Sequence, residues 1–188
     1  MESIINFFAT SSIITILVII WLSIYFIATF WLFIYKWFLI KNVKDRENLS
    51  LEMLLTGNIF SPKSAVFNNL KNDAPLSKEM LSVWKNQILK ASSAGFTFLS
   101  VVSSTAPFIG LFGTVVEILD AFSKLGVSGN ATFDVIAPVI SKALVATACG
   151  ILAAIPAYSF YLILKRKLLE LSVLLQAQAD ISLNINKR

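Results

Sequence analysis

In three long stretches of this chain apolar residues do not alternate with charged ones; they run on without a charge. Residues 3–35 carry no charge and have their densest apolar centre at 13–33. Residues 91–116 and 143–164 are two further uncharged runs, the second bounded by Lys142 and by Lys165-Arg166-Lys167. A membrane-spanning helix needs about 20 mostly apolar residues, and each run meets that length. The first has no basic segment before it and is too long for a cleavable leader, so it reads as a span. It carries Ile, Leu, Phe and Trp almost all round, among them Trp21, Phe26, Phe30 and Trp31, as a helix facing lipid does. The other two are rich in Gly, Ala and Ser, which let membrane helices approach closely. They read as an inner packed layer.

Basic residues set the orientation. The segment Lys41 to Lys90 holds Lys41, Lys44, Arg46, Lys63, Lys71, Lys78, Lys85 and Lys90, and the tail holds Lys165, Arg166, Lys167, Lys187 and Arg188. Residues 117–142 hold Lys124 and Lys142 against Glu117, Asp120 and Asp134. The expectation is an N-terminus outside, two basic segments in the cytoplasm and a short outer connection. Residues 1–40 then form helix one and 41–76 a cytoplasmic helical loop, with helical pieces at 49–56 and 61–70 and a turn at Asn72-Asp73-Ala74-Pro75. Ser77 opens a helical pattern carried by Met80, Leu81, Trp84, Ile88 and Leu89. With no evident breaker after Pro75, helix two is expected as one rod over 77–125, its membrane part at 91–116. Residues 126–133 form the periplasmic turn, broken by Gly126, Gly129 and Asn130. Helix three covers 134–188, with its membrane part at 143–164 and a cytoplasmic tail. The fold class is an all-α integral membrane protein with three transmembrane helices, the second and third extended into the cytoplasm.

Composition narrows the chemistry. The 188 residues are 56% hydrophobic and 14% charged, with net charge +5, no His and one cysteine, Cys149. Soluble domains are nearer 25% charged. Without His, neither a Ser/His/Asp nor a Cys/His catalytic set exists, nor a Cys/His zinc site. No metal site, cofactor or nucleic-acid contact is expected; the excess of Lys and Arg serves topology, and those at the inner span ends suit anionic phospholipids.

Polar groups inside spans are where function concentrates. The second run holds Ser104, Thr105, Pro107, Gly110, Gly113 and Thr114; the third has Pro138 at its entry, then Thr147, Gly150 and Pro156. Prolines bend a span and free a carbonyl. Each hydroxyl either satisfies a local carbonyl or joins the others in a shared polar lining. Glu117 and Lys142, at the outer ends of these two runs, either form an ion pair or make a solvated rim. No acidic residue sits at mid-membrane depth, so a carboxylate that carries protons has to come from another polypeptide.

At these residues the chain resembles the MotA/TolQ/ExbB proton-channel family. The stretch Thr105-Ala-Pro-Phe-Ile-Gly-Leu-Phe-Gly-Thr-Val115 is similar to its second-helix signature. Ala137-Pro-Val-Ile-Ser-Lys-Ala-Leu-Val-Ala-Thr-Ala-Cys-Gly-Ile-Leu-Ala-Ala-Ile-Pro-Ala157 is similar to its third. Three spans favour the TolQ and ExbB branches, and the short segment before span one leans toward TolQ. The resemblance implies an inner-membrane homopentamer whose second and third helices line a pore. A dimer of a single-span TolR- or ExbD-like partner stands in that pore, and its membrane Asp cycles protons to drive work on the Tol–Pal system, through a TolA-like protein, or on a TonB-like protein. By motif position Thr105 and Thr147 are the pore hydroxyls, with Thr114 and Ser104 beside them. Pro107, Gly110, Gly113, Pro138, Gly150 and Pro156 serve packing and bending. Two positions depart from the pattern: Lys142 stands where relatives carry Glu, and Glu117 where they carry Gly, an exchange that suggests a Glu117–Lys142 pair. The alternatives are an ExbB-like subunit energising TonB-dependent uptake and an independent ion channel; an enzyme is not expected.

Overall fold

A computed structural model describes residues 12–55, 77–128 and 133–186. The described residues form four helices and no strand: α1 (Ile13–Leu55), α2 (Lys78–Ser93), α3 (Phe96–Ser128) and α4 (Phe133–Asn186). Three of them, α1, α3 and α4, are long and apolar enough to cross a membrane. The expected pieces at 61–70 and 72–75 lie outside the described residues, as do residues 129–132 of the outer turn.

Three boundaries differ from those read off the sequence. Helix one does not stop at residue 40; α1 takes in the helical piece expected at 49–56 as far as Leu55. Gly126 does not end the outer part of helix two, since α3 continues to Ser128. The rod expected over 77–125 is two helices, parted at Ala94–Gly95. Gly95 has φ 89°, a left-handed conformation that a residue without Cβ adopts freely. The prolines, by contrast, interrupt nothing: α3 is continuous through Pro107 and α4 through Pro138 and Pro156. A proline removes one backbone bond and leaves the rest of the ladder to hold the rod.

The chain divides into two compact units. One comprises Met1–Leu32 and Thr97–Tyr161, the other Phe33–Phe96 and Leu162–Arg188. The first is built on small residues. Its core is Val18 and Leu22 of α1, Val102 and Ala106 of α3, and Ala153, Ala154 and Ala157 of α4. Edge-on aromatic pairs flank it, Tyr25 on Phe98 at 5.9 Å and Phe30 on Phe160 at 5.1 Å between ring centroids. The second unit has a bulkier core of Leu81, Trp84, Leu171, Leu175 and Ala179. Ser77 caps α2 there by accepting the Met80 amide at 3.1 Å, which satisfies one of the orphan donors of a first turn. At the other end of α2 the Lys36 ammonium donates to the Ala91 carbonyl at 3.3 Å, a cation set against the negative end of the helix just before the Gly95 break. Lys44 bonds Glu170 at 2.7 Å and Lys85 bonds the Gln176 side-chain oxygen at 2.7 Å. Lys167 lies over the Trp37 ring, 4.1 Å from its centroid.

Helix α1 is not apolar on every face in the sense that matters. Its buried positions among the described residues are Thr15, Val18, Leu22, Thr29, Lys36, Ile40, Glu47 and Ser50. Thr15, Leu22, Thr29, Lys36, half-buried Val43 and Ser50 recur every seven residues. Ile13, Leu17, Trp21, Ile24, Ile27, Trp31 and Ile34 are exposed. Many of the helix's large apolar side chains face outward, as suits lipid, while Thr15, Thr29, Lys36, Glu47 and Ser50 sit inward beside Val18, Leu22 and Ile40.

Candidate functional site

The membrane hydroxyls lie in the first unit, where α3 and α4 run antiparallel with almost no side chain between them. A Cβ on Gly110 would stand 2.6 Å from the Ala146 carbonyl oxygen, and one on Gly150 would stand 2.6 Å from that of Ala106. Only glycine permits this approach. The close contact brings backbone carbonyls of one helix within reach of hydroxyls on the other.

Thr114 and Thr147 use that proximity. Their hydroxyl oxygens are 2.5 Å apart. Thr114 also reaches the Ala143 carbonyl at 3.0 Å and the Gly110 carbonyl at 3.3 Å, while Thr147 reaches the Gly110 carbonyl at 3.4 Å. Two hydroxyls and two carbonyls of two helices thus form one polar knot, and both threonines are half-buried. A hydroxyl donates one bond and accepts two, so the pair has more bonding options than it can use at once. The hydroxyl hydrogens can switch between these acceptors without any fixed charge in the knot.

Thr105 and Ser104 are placed otherwise. Thr105 donates to Val101 O at 2.8 Å, and Ser104 has Ser100 O at 2.9 Å and Val101 O at 3.1 Å within reach. Both satisfy carbonyls of their own helix. Thr105 precedes Gly110 by five residues, about 7.5 Å of helix rise, so it stands at a different level from the Thr114–Thr147 knot. Of the four hydroxyls singled out in the sequence, the structure joins Thr114 with Thr147 and separates Thr105 and Ser104 from them.

Glu117 is buried, 4% exposed, rather than part of a solvated rim. Within the chain, the carboxylate accepts the Thr15 hydroxyl and, at 3.4 Å, the Ser12 amide, both from the start of α1. A desolvated carboxylate needs donors close by, and a helix N-terminus offers them along with partial positive charge. Thr15 is fully buried and escaped the sequence reading, as did Thr29, whose buried hydroxyl has no partner in the structure. Their place in the seven-residue repeat Thr15, Leu22, Thr29 along α1 was the available signal. Among the described residues no group of His, Cys, Asp and Glu is arranged to hold a metal ion.

This geometry sits inside a region of known kinship. Residues 58–177, more than half of the chain, match the sequence profile of the MotA/TolQ/ExbB proton channel family. A protein of Helicobacter pylori named putative biopolymer transport protein ExbB-like 1 is 55% identical over 183 residues, 96% of this chain and 97% of its own length. The biopolymer transport protein ExbB of Neisseria gonorrhoeae is 40% identical over 53% of this chain and 46% of its own. The Tol-Pal system protein TolQ of Haemophilus influenzae is 38% identical over 57% of this chain and 51% of its own. The matched region takes in α2, α3 and most of α4, with the glycine contact and the threonine knot. Three membrane-length helices, a close-packed pair with shared hydroxyls, and these matches converge: the chain is a membrane protein and belongs to the MotA/TolQ/ExbB proton channel family.

Proposed function

We propose that this chain is the ring-forming subunit of a proton-driven motor in the bacterial inner membrane. Five copies surround a dimer of a single-span partner of the TolR/ExbD type. The N-terminus is periplasmic and the C-terminus cytoplasmic, following the distribution of Lys and Arg. The observation that carries the reading is the Thr114–Thr147 knot on the glycine-packed seam of α3 and α4. Hydroxyls suit a path used by a partner's carboxyl group, because they bond its neutral and ionised forms alike. A fixed cation there would hold the acid ionised. In the ring, α3 and α4 turn this seam toward the partner, and proton flow does mechanical work on the envelope. Lys165 and Arg166 border a groove of about 530 Å³ walled by Leu89, Leu162, Leu168 and Leu169, a combination that suits an anionic phospholipid.

Two branches divide the family's work. The full-length relative that bears an ExbB-like name supports an ExbB-like subunit that energises TonB-dependent uptake. A TolQ-like subunit of the Tol–Pal system is the second reading, supported by the likeness to the TolQ of Haemophilus influenzae. Native mass spectrometry of the chain, purified with the one-span, membrane-Asp protein encoded beside it, tests the assembly. Five copies with two partner copies are expected, and the neighbour's identity then assigns the branch. A monomer that captures no partner refutes the motor reading.

A further inference from the structure

Glu117 lies three residues beyond Thr114 on α3 and faces α1, not the α4 seam. Its carboxylate meets the Ser12 amide, just before the first helical residue of α1, and the Thr15 hydroxyl one turn in. The first N–H groups of a helix lack partners within it. An acid from a helix more than a hundred residues away therefore closes the end of α1. One turn further along, the same helices touch again: Val18 lies 3.1 Å from where a Cβ on Gly113 would stand. These two contacts, at 113 and 117, bracket Thr114. A helix held at two points on one face has no freedom to roll. Thr114 reaches both Ala143 O and the Thr147 hydroxyl only while α3 keeps its present rotation.

We propose that Glu117 is a positioning residue, which caps α1 and so fixes the rotation of α3 that aims the Thr114 hydroxyl at Thr147. The inference rests on the motor reading only for what the hydroxyl pair does afterwards; the geometry is testable without proton flow.

The test replaces the native thiol (Cys149→Ala) and introduces Thr114→Cys with Thr147→Cys in the full chain, reconstituted in lipid nanodiscs. Hydroxyls 2.5 Å apart put the two sulfurs within bonding reach, and the rate of disulfide formation with copper phenanthroline reports how the two side chains are aimed. Glu117→Leu should slow that rate about tenfold, the factor that follows from losing one charge-assisted hydrogen bond. Glu117→Gln keeps an acceptor oxygen and should recover most of it. Thr15→Val should slow the reaction similarly, and combined with Glu117→Leu it should add nothing. An unchanged rate in Glu117→Leu overturns the proposal. So does a slowing that Glu117→Gln fails to recover or that Thr15→Val fails to reproduce. Should Glu117→Leu not fold, Thr15→Val alone decides. A chain that forms no ring and captures no partner would defeat the motor reading and leave this result standing.

Discussion

Adding one methyl group at Gly110 should force α3 and α4 apart. Its Cβ would stand 2.6 Å from the Ala146 carbonyl oxygen, 3.0 Å from the Thr147 Cα and 3.1 Å from the Gly150 Cα. All three are backbone atoms, so no side chain can swing aside. Real Cβ atoms essentially never approach closer than 3.0 Å, and ordinary contact begins at 3.4 Å, so the helices must part by between about 0.4 and 0.8 Å. Overpacking of this kind costs about 1–3 kcal/mol. The Thr147 to Gly110 bond, already 3.4 Å, would then exceed hydrogen-bond length, while the 2.5 Å hydroxyl pair has room to stretch. Gly150→Ala strikes the Ala106 carbonyl at the same 2.6 Å and should cost a similar amount. The double variant should cost less than the sum, because the first methyl opens the gap that the second needs. Gly126→Ala is the control: its Cβ would meet nothing within 4 Å, it lies within α3, and alanine there should stabilise by about 0.5–1 kcal/mol. Denaturant unfolding of the four variants in matched lipid measures each value. A Gly110→Ala protein as stable as the parent, or strict additivity with Gly150→Ala, would refute the close-packed seam.

Thr147→Val keeps the side-chain shape and removes the hydroxyl. It should cost stability only about 1 kcal/mol, leave assembly intact on native mass spectrometry, and abolish proton flux in proteoliposomes that hold the partner; normal flux would return Thr147 to a packing role. Ser77→Ala removes the acceptor of the Met80 amide and should destabilise the start of α2 by about 1 kcal/mol, seen as faster hydrogen exchange at Met80 with no change at Val102.

The three spans, the Ser77 cap and the glycine-rich seam were legible because each depends on local chemistry. A run of apolar residues has one reading at that length, and a Ser before a helical pattern has one preferred use. The parts that were not legible depend on register. Thr105 and Thr147 look equivalent in the sequence; what separates them is that Gly110 meets Ala146 and Thr147, which leaves Thr105 about 7.5 Å down the rod. The donors that Glu117 meets at the end of α1 lie more than a hundred residues away along the chain, a proximity that no local pattern carries. Gly95 resembled another packing glycine among small residues, and its left-handed φ reflects where the backbone turns. The seven-residue repeat of α1 was present in the sequence but masked, since hydropathy marks only the outward-facing majority.

That repeat has a consequence for how the α1 seam avoids misalignment. A helix packed through positions seven apart has a neighbouring alignment one repeat away, and in a uniform seam of leucines the two would be nearly equal in energy. Here the repeat reads Thr15, Leu22, Thr29, Lys36, Val43, Ser50, with polar and apolar groups unevenly mixed. Sliding by one repeat would bring Leu22 to the place of Thr15 and leave the Glu117 carboxylate facing a methyl group in a water-free setting. The inward polar groups are therefore teeth of unequal shape, as on a key, and they let an otherwise greasy rod seat in one position only.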